Sequence, residues 1–378
     1  MDFNLNEQEK MLQGMAKEFA TKSVQPRAAD IDRSGEFPFD LAEEMGKLGY
    51  RGLPYPAEYG GSGAGYTSYA LVLEQICQAS MTVGAIMAIN TVPEEAIFRF
   101  GNEEQKKTLL TPLAKGRMLG CIAFTETETG SDPNLITTTA RKKGSGYVVA
   151  GQKHFVALAP AANLALIFAK DERKGLDAFI IDTSSPGFTV REPCETMGLK
   201  GLGTSAVYLD EVYVPAENRL GEEGQGFDIL LEAITLGRLG VAVEGVAVAQ
   251  AALELSIDYA KQRKALGRPI TKLPTIQWHL AEMASRIEAA RWLVYRTAFL
   301  RDQGADIQYA TSVAKLFASQ VAVEVTRRAM QVHGSYGTMK TMPIERLYRD
   351  AKMTEIYVGI SEIQRNIIAN YLVQRLSG

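Results

Sequence analysis

Three successive hydrophobic periods predict an α+β multidomain chain: an N-terminal helical domain, a central β domain and a C-terminal four-helix bundle. Apolar residues recur at helical spacings up to about residue 118, alternate at a period of two from Gly120 to Ala216, and return to long helical runs from Phe227 to the end. The Gly224-Gln225-Gly226 loop marks the second switch. The expected domains are therefore 1–118, 119–226 and 227–378.

In the first domain, Met11, Leu12, Met15 and Phe19 follow acidic Glu7 and Glu9, which suit a first helical turn. Phe39 to Leu48 is a second amphipathic segment, ended by Gly49. Pro54, Pro56 and the glycines around Ser62 exclude a continuous helix between residues 52 and 63. Tyr66 to Ile89 reads as one long helix, apolar nearly all round and so buried. Thr91 to Phe100 is expected to continue after a break at Asn90, and Glu103 to Leu113 closes the section.

Strands are predicted at Ile122–Phe124, Tyr147–Ala150, Leu164–Ala169, Ala178–Ile181, Gly187–Val190 and Ala206–Leu209, with Gly, Asp, Ser and Pro turns between them. After them, Phe227 to Arg263 is one run, or two with a bend near Gly237 or Gly240. Ile276–Arg301, Ile307–His333 and Arg346–Arg375 are further long helices of a bundle.

A formal net charge of −3 argues against a nucleic-acid surface. Cys77, Cys121 and Cys194 are far apart, as are His154, His279 and His333, so neither structural disulfides nor a protein-held metal is expected. The polar start MDFNLNEQEKM is unlike a targeting peptide, and no apolar run reaches membrane-spanning length; the expected location is cytoplasmic.

Residues Thr125 to Asp132 place hydroxyls and backbone N–H groups in a turn after an apolar strand. Such a turn either donates hydrogen bonds to a heterocycle edge or pyrophosphate, or is simply a solvated loop. A ligand in this architecture belongs where the domains meet.

Several short motifs, taken together, resemble the acyl-CoA dehydrogenase family over nearly the whole chain. They are Thr125-Glu126 with Gly130-Ser131-Asp132, then Gly151-Gln152-Lys153, then Gly224-Gln225-Gly226-Phe227. Arg263 with Gly267-Arg268-Pro269-Ile270, Gln331 with Gly334, and Tyr357-Val358-Gly359 before Ile363-Gln364 complete the order. The resemblance implies bound FAD, an acyl-CoA substrate, a homotetramer and an electron-transferring flavoprotein as partner. It implies flavin or phosphate contacts for Phe124, Thr125, Gly130 and Ser131, and ring packing for Phe155 and Ala157. Arg263, Leu266, Gln331 and Ser335 would reach the FAD of a neighbouring subunit, with Ile360 and Glu362 also beside the cofactor. Arg238, Val358 and Gly359 would lie along the acyl-CoA.

The resemblance fails at the catalytic base. The family's Tyr-Glu-Gly-Thr reads Tyr357-Val358-Gly359-Ile360 here, and the alternative base position, just before the helix arginine, is Gly237. Neither side chain takes a proton, although general base catalysis contributes roughly 100- to 10,000-fold. Around the flavin, Phe155-Val156-Ala157 replaces Trp-Ile-Thr, Thr127 replaces a proline, Leu266 a phenylalanine and Glu362 a glutamine. Three readings follow. The base has moved, as in the diene-forming cyclohexenecarboxyl-CoA dehydrogenases, with Glu95 the candidate, Glu94 the second and Thr91 a polar neighbour. Alternatively the protein is an FAD-containing desulfinase of the 3-sulfinopropionyl-CoA type, which needs no such base but does need a cationic group; no arginine occurs between Arg51 and Arg99. The third reading is a non-catalytic acyl-CoA or FAD binder.

Overall fold

The computed structural model describes residues 4–171 and 175–376; the first three residues of the polar start lie outside them. Five principal helices come first: α1 (Glu7–Phe19), α2 (Ala28–Ser34), α3 (Phe39–Lys47), α4 (Gly65–Ala79) and α5 (Met81–Phe100). Short α6 (Glu103–Gln105) and α7 (Thr111–Ala114) follow. Asn6 starts α1 in a capping box, its side chain accepting from the Glu9 amide while Glu9 accepts from the Asn6 amide.

The expected break at Asn90 falls instead at Ser80, whose extended backbone and hydroxyl cap α5 by accepting from the Val83 amide at 3.4 Å. Asn90 stays helical because its side chain works across the fold: Oδ1 accepts from the Gly120 amide at 2.8 Å and Nδ2 donates to Glu94 at 2.6 Å. It therefore does not compete for its own backbone.

The middle of the chain forms β1 (Gly120–Ala123), β2 (Thr139–Lys143), β3 (Gly146–Val156), β4 (Leu164–Lys170), β5 (Leu176–Asp182), β6 (Phe188–Val190), β7 (Ser205–Pro215) and β8 (Arg219–Leu220). They make one sheet in the order β6-β7-β3-β2-β4-β5-β8, with β1 pairing in parallel with β4 from Gly120 opposite Leu164. Strand β2 is absent from the sequence-based expectation because it buries only Ala140 and exposes Arg141, Lys142 and Lys143.

Helix α8 (Gly226–Gln262) runs unbroken through Gly237 and Gly240 for 37 residues. A tight hairpin, β9 (Lys264–Ala265) and β10 (Arg268–Pro269), leads to α9 (Pro274–Asp302) and α10 (Gln308–His333). At Gly245 a Cβ would stand 2.9 Å from the Ala318 carbonyl oxygen, so the missing side chain permits the close approach of α8 and α10. The expected Arg346–Arg375 helix divides into α11 (Pro343–Met353) and α12 (Ser361–Leu376). Residues 354–360 leave the helix because Val358 and Gly359 both adopt positive φ, 52° and 95°. Among the described residues no helix is long and apolar enough to cross a membrane, and no cluster of three His, Cys, Asp or Glu offers a metal site.

Candidate active site

Three elements converge on the missing side chains of α8. A Cβ at Gly237 would stand 3.0 Å from Val358 Cγ1 and 3.2 Å from Val92 Cγ2. One helical turn on, a Cβ at Gly240 would stand 3.1 Å from Ala88 Cβ and 3.2 Å from the Tyr69 hydroxyl. The wall is thus built by α4 (Tyr69), α5 (Ala88, Val92), α8 (Gly237, Gly240) and the 354–360 loop (Val358). Positions 358 and 237, far apart in sequence, face each other, and neither brings a carboxylate. Phe124, at the end of β1, packs on the same apolar cluster as Val92, which ties the β domain to this wall.

The 354–360 loop is held by polar groups behind it. Lys315 Nζ donates to the Gly359 carbonyl at 2.7 Å, and Gln364 Nε2 donates to the same oxygen at 3.0 Å. Arg238 Nε lies 3.6 Å from where a Gly359 Cβ would be. Arg238 is buried, and its Nε and Nη1 have no hydrogen-bond partner. Burial lowers its pKa to about 10. Burial, and then the neighbouring Arg238 charge, brings Lys315 down to about 7. An uncompensated cation this deep in the interior is costly and marks a place where a polar ligand group fits.

The acidic candidates on α5, Glu94 and Glu95, lie away from this wall or in other contacts. Ala88 and Val92 point at α8, and Glu94, two residues past Val92, is turned roughly 200° away. Its Oε1 accepts from Asn90, and burial raises its pKa well above the usual value despite the nearby Arg51 charge. Glu95 is wholly buried in a charge cluster: it accepts from Arg99 Nε at 3.0 Å, the Tyr66 hydroxyl at 2.7 Å and Arg301 Nη2. Arg301 also pairs with Glu232. This carboxylate joins α4, α5, α8 and α9 and is not a free proton acceptor. Thr91 donates to the Met87 carbonyl at 2.8 Å and adds no free donor.

The β-domain rim carries the other group of expected residues. Phe155 stands at φ 54° with 71% of its surface exposed, and Ala157 is half-buried beside it. Gly130 and Ser131 are exposed in the turn, and Thr125 is half-buried. The His154 amide donates to the Thr125 carbonyl at 2.8 Å, holding the two rim segments side by side.

What fixes that rim was not foreseen from the motifs. Glu126 turns inward and accepts from the amides and hydroxyls of Thr137 and Thr138 at 2.6–3.0 Å. It also accepts from Lys153 Nζ at 2.7 Å, which donates in turn to the Phe168 carbonyl at 2.6 Å. Burial would raise the Glu126 pKa, but the Lys153 charge and these hydrogen bonds outweigh it and bring it down to about 2. The Glu of Thr-Glu and the Lys of Gly-Gln-Lys are therefore braces for the rim, not ligand contacts. The sequence signal was available: a lone Lys within a β run otherwise led by apolar residues.

The third group lies elsewhere. Arg263, Gln331 and Ser335 gather at the far end of α8, where Arg263 sits 5.9 Å over the Tyr336 ring. Gln331 and Ser335 line a cavity of about 600 Å³ with Arg327, Met330, Gly334, Thr338 and Tyr348. Leu266, at φ 52° on the hairpin, is 88% exposed. Arg263, the residue that ends α8, comes twenty-five positions after Arg238, about 37 Å at helical rise. Ile360 and Glu362 are at the other end, on and just after the 354–360 loop, with Glu362 exposed. Within one chain the expected cofactor residues thus form two separated sets.

Comparison with known proteins agrees with this architecture. Residues 6–117, 121–212 and 224–373 match the N-terminal, middle and C-terminal domains described for acyl-CoA dehydrogenase. An acyl-CoA dehydrogenase of Bacillus subtilis is 43% identical, the match covering 98% of this chain and 99% of that one. The butyryl-CoA dehydrogenase of Megasphaera elsdenii superposes with a TM-score of 0.97 at 36% identity, covering 99% of this chain and 100% of that one. An acyl-CoA dehydrogenase of Bacillus anthracis complexed with FAD gives a TM-score of 0.94 at 32% identity, covering 99% of this chain and 70% of that one. With each of its three domains matched in order and full-length relatives at this identity, the chain belongs to the acyl-CoA dehydrogenase family.

Proposed function

We propose that this protein binds FAD and an acyl-CoA thioester and acts on an acyl group whose reaction does not call on a carboxylate at the family's customary position. The observation that carries the reading is the meeting of Val358 and Gly237. Both customary base positions share one apolar wall, Glu95 is committed to Arg99, Arg301 and Tyr66, and Glu94 is turned away from that wall. FAD, when bound, supplies the hydride acceptor.

The residues present fit such a cofactor. The open rim offers Phe155 and Ala157 as a flat packing surface, with the Thr125 and Ser131 hydroxyls next to it. The cavity at Gln331 and Ser335 offers a second contact set. Because the rim belongs to the β domain and the Gln331–Ser335 cavity to the far end of the helical bundle, one cofactor takes the rim of one subunit and the far end of another, in a homotetramer. An electron-transferring flavoprotein is the proposed electron acceptor.

The acyl group is cyclic or already unsaturated, so that the proton leaves from a carbon other than the usual one. A second reading is favoured by Arg238, whose unpartnered Nε and Nη1 suit an anionic substituent. There the reaction is hydrolytic desulfination: the C–S bond of a sulfinated acyl-CoA breaks with its electron pair kept on carbon, which takes a proton from water, and the water oxygen turns the released SO2 into sulfite, with no proton removed from the acyl chain. Anaerobic titration of the FAD-loaded protein tests both. Bleaching of the flavin by cyclohexenecarboxyl-CoA but not butyryl-CoA supports the first, and sulfite release without bleaching supports the second. Rapid bleaching by butyryl-CoA would overturn both.

A further inference from the structure

Helix α8 carries one more polar group on the face that bears the two glycines. Glu244 follows Gly237 by seven residues and Gly240 by four, so the three stack along one side, with Glu244 about 10 Å beyond Gly237 along the axis. Glu244 is fully buried, and both its carboxyl oxygens lack a hydrogen-bond partner. Tyr69, whose hydroxyl marks the Gly240 level of the wall, likewise has no hydrogen-bond partner for its OH.

Nothing neutralises this carboxyl. Lys315 is close enough to feel its charge, yet the ammonium is committed to the Gly359 carbonyl. Asp350 adds like charge, and Tyr69 and Cys77 on α4 are pushed up first by burial and then by their nearness to Glu244. Burial raises the Glu244 pKa well above the ordinary carboxylate value. Burial thus favours the neutral carboxyl, which is both a hydrogen-bond donor and an acceptor.

We propose that Glu244 is the polar floor of the acyl pocket and selects acyl-CoA thioesters bearing an oxygen function, such as a hydroxyl or keto group, at the far end of the acyl chain. This rests on the reading of the wall around Gly237 and Val358 as the acyl site. An acyl end with an oxygen satisfies the buried carboxyl, whereas a plain methyl end leaves it without a partner. A site of that kind discriminates against the ligand lacking the polar atom.

The test is isothermal titration of the FAD-loaded protein with butyryl-, hexanoyl- and octanoyl-CoA and with their ω-hydroxy counterparts. At the chain length that reaches the floor, the ω-hydroxy thioester is expected to bind about tenfold more tightly. In Glu244→Leu the preference should invert, and in Glu244→Gln, which keeps a donor and an acceptor, it should persist. Equal affinities within every pair, or an unchanged preference in Glu244→Leu, would overturn the assignment. Failure of every thioester to bind would overturn the acyl-site reading along with it.

Discussion

Two buried carboxyl groups, Glu126 under the β-domain rim and Glu244 on α8, face opposite circumstances. Glu126 accepts from two amides, two hydroxyls and an ammonium, and its pKa falls to about 2. Glu244 accepts from nothing, and burial drives its pKa upward. Arg238 behaves like Glu244, while Lys153 has two strong acceptors in Glu126 and the Phe168 carbonyl. The satisfied pair braces the scaffold, whereas the unsatisfied Arg238 and Glu244, both on the helix that carries the two glycines of the wall, are groups that a ligand would satisfy.

Breaking the satisfied side should cost most. Lys153→Met leaves the buried Glu126 charge without its counter-ion, and is expected to destabilise the protein by about 3–5 kcal/mol, read by denaturant unfolding, with loss of retained FAD. Glu95→Gln tests whether that carboxylate belongs with the scaffold: a loss of about 3 kcal/mol in stability is expected, because Arg99 and Arg301 lose a buried partner. A fall in turnover with unchanged stability would instead move Glu95 to the ligand side of the comparison. On the unsatisfied side, Val358→Glu installs a proton acceptor facing Gly237, and should raise butyryl-CoA oxidation by roughly 100-fold or more, followed as flavin bleaching.

The smallest effect is in the acid limb of stability. Glu126 titrates lower in the folded chain than when unfolded, so the unfolded chain binds more protons between pH 4.5 and about 2. Its contribution is complete above pH 4.5 and is lost as the pH falls through that window. Glu126→Gln should flatten this part of the unfolding curve against pH, and an unchanged slope would remove the assignment.

The three-part order was legible because each part imposes its own hydrophobic period over dozens of residues. The misplaced boundaries have local causes. Ser80 outcompeted Asn90 as a helix start because the Asn90 amide is spent on Gly120 and Glu94, a tertiary fact with no local trace. The Thr139–Lys143 strand hides behind its basic residues, and the split of the last helix depends on a backbone conformation that valine does not advertise.

At the site, Val358 and Gly237 were recognised as departures through family resemblance, and the structure added that they face each other. Glu94 and Glu95 drew notice as an acidic pair beside an apolar stretch, but only their partners show which way they turn. Glu244 was overlooked although it left a signal. It is the lone charged residue between Arg238 and Glu254, set in the apolar run Gly-Val-Ala-Val-Glu-Gly-Val-Ala-Val.

The left-handed turn at Val358 reaches beyond this one sequence. A β-branched residue at φ 52° is strained by an amount of order 1–3 kcal/mol. Lys315 and Gln364 grip the next carbonyl and hold the bend whatever side chain precedes it. The position is thus an interchangeable socket, in which successive residues can be tried for new reactivity while the surrounding frame stays as it is.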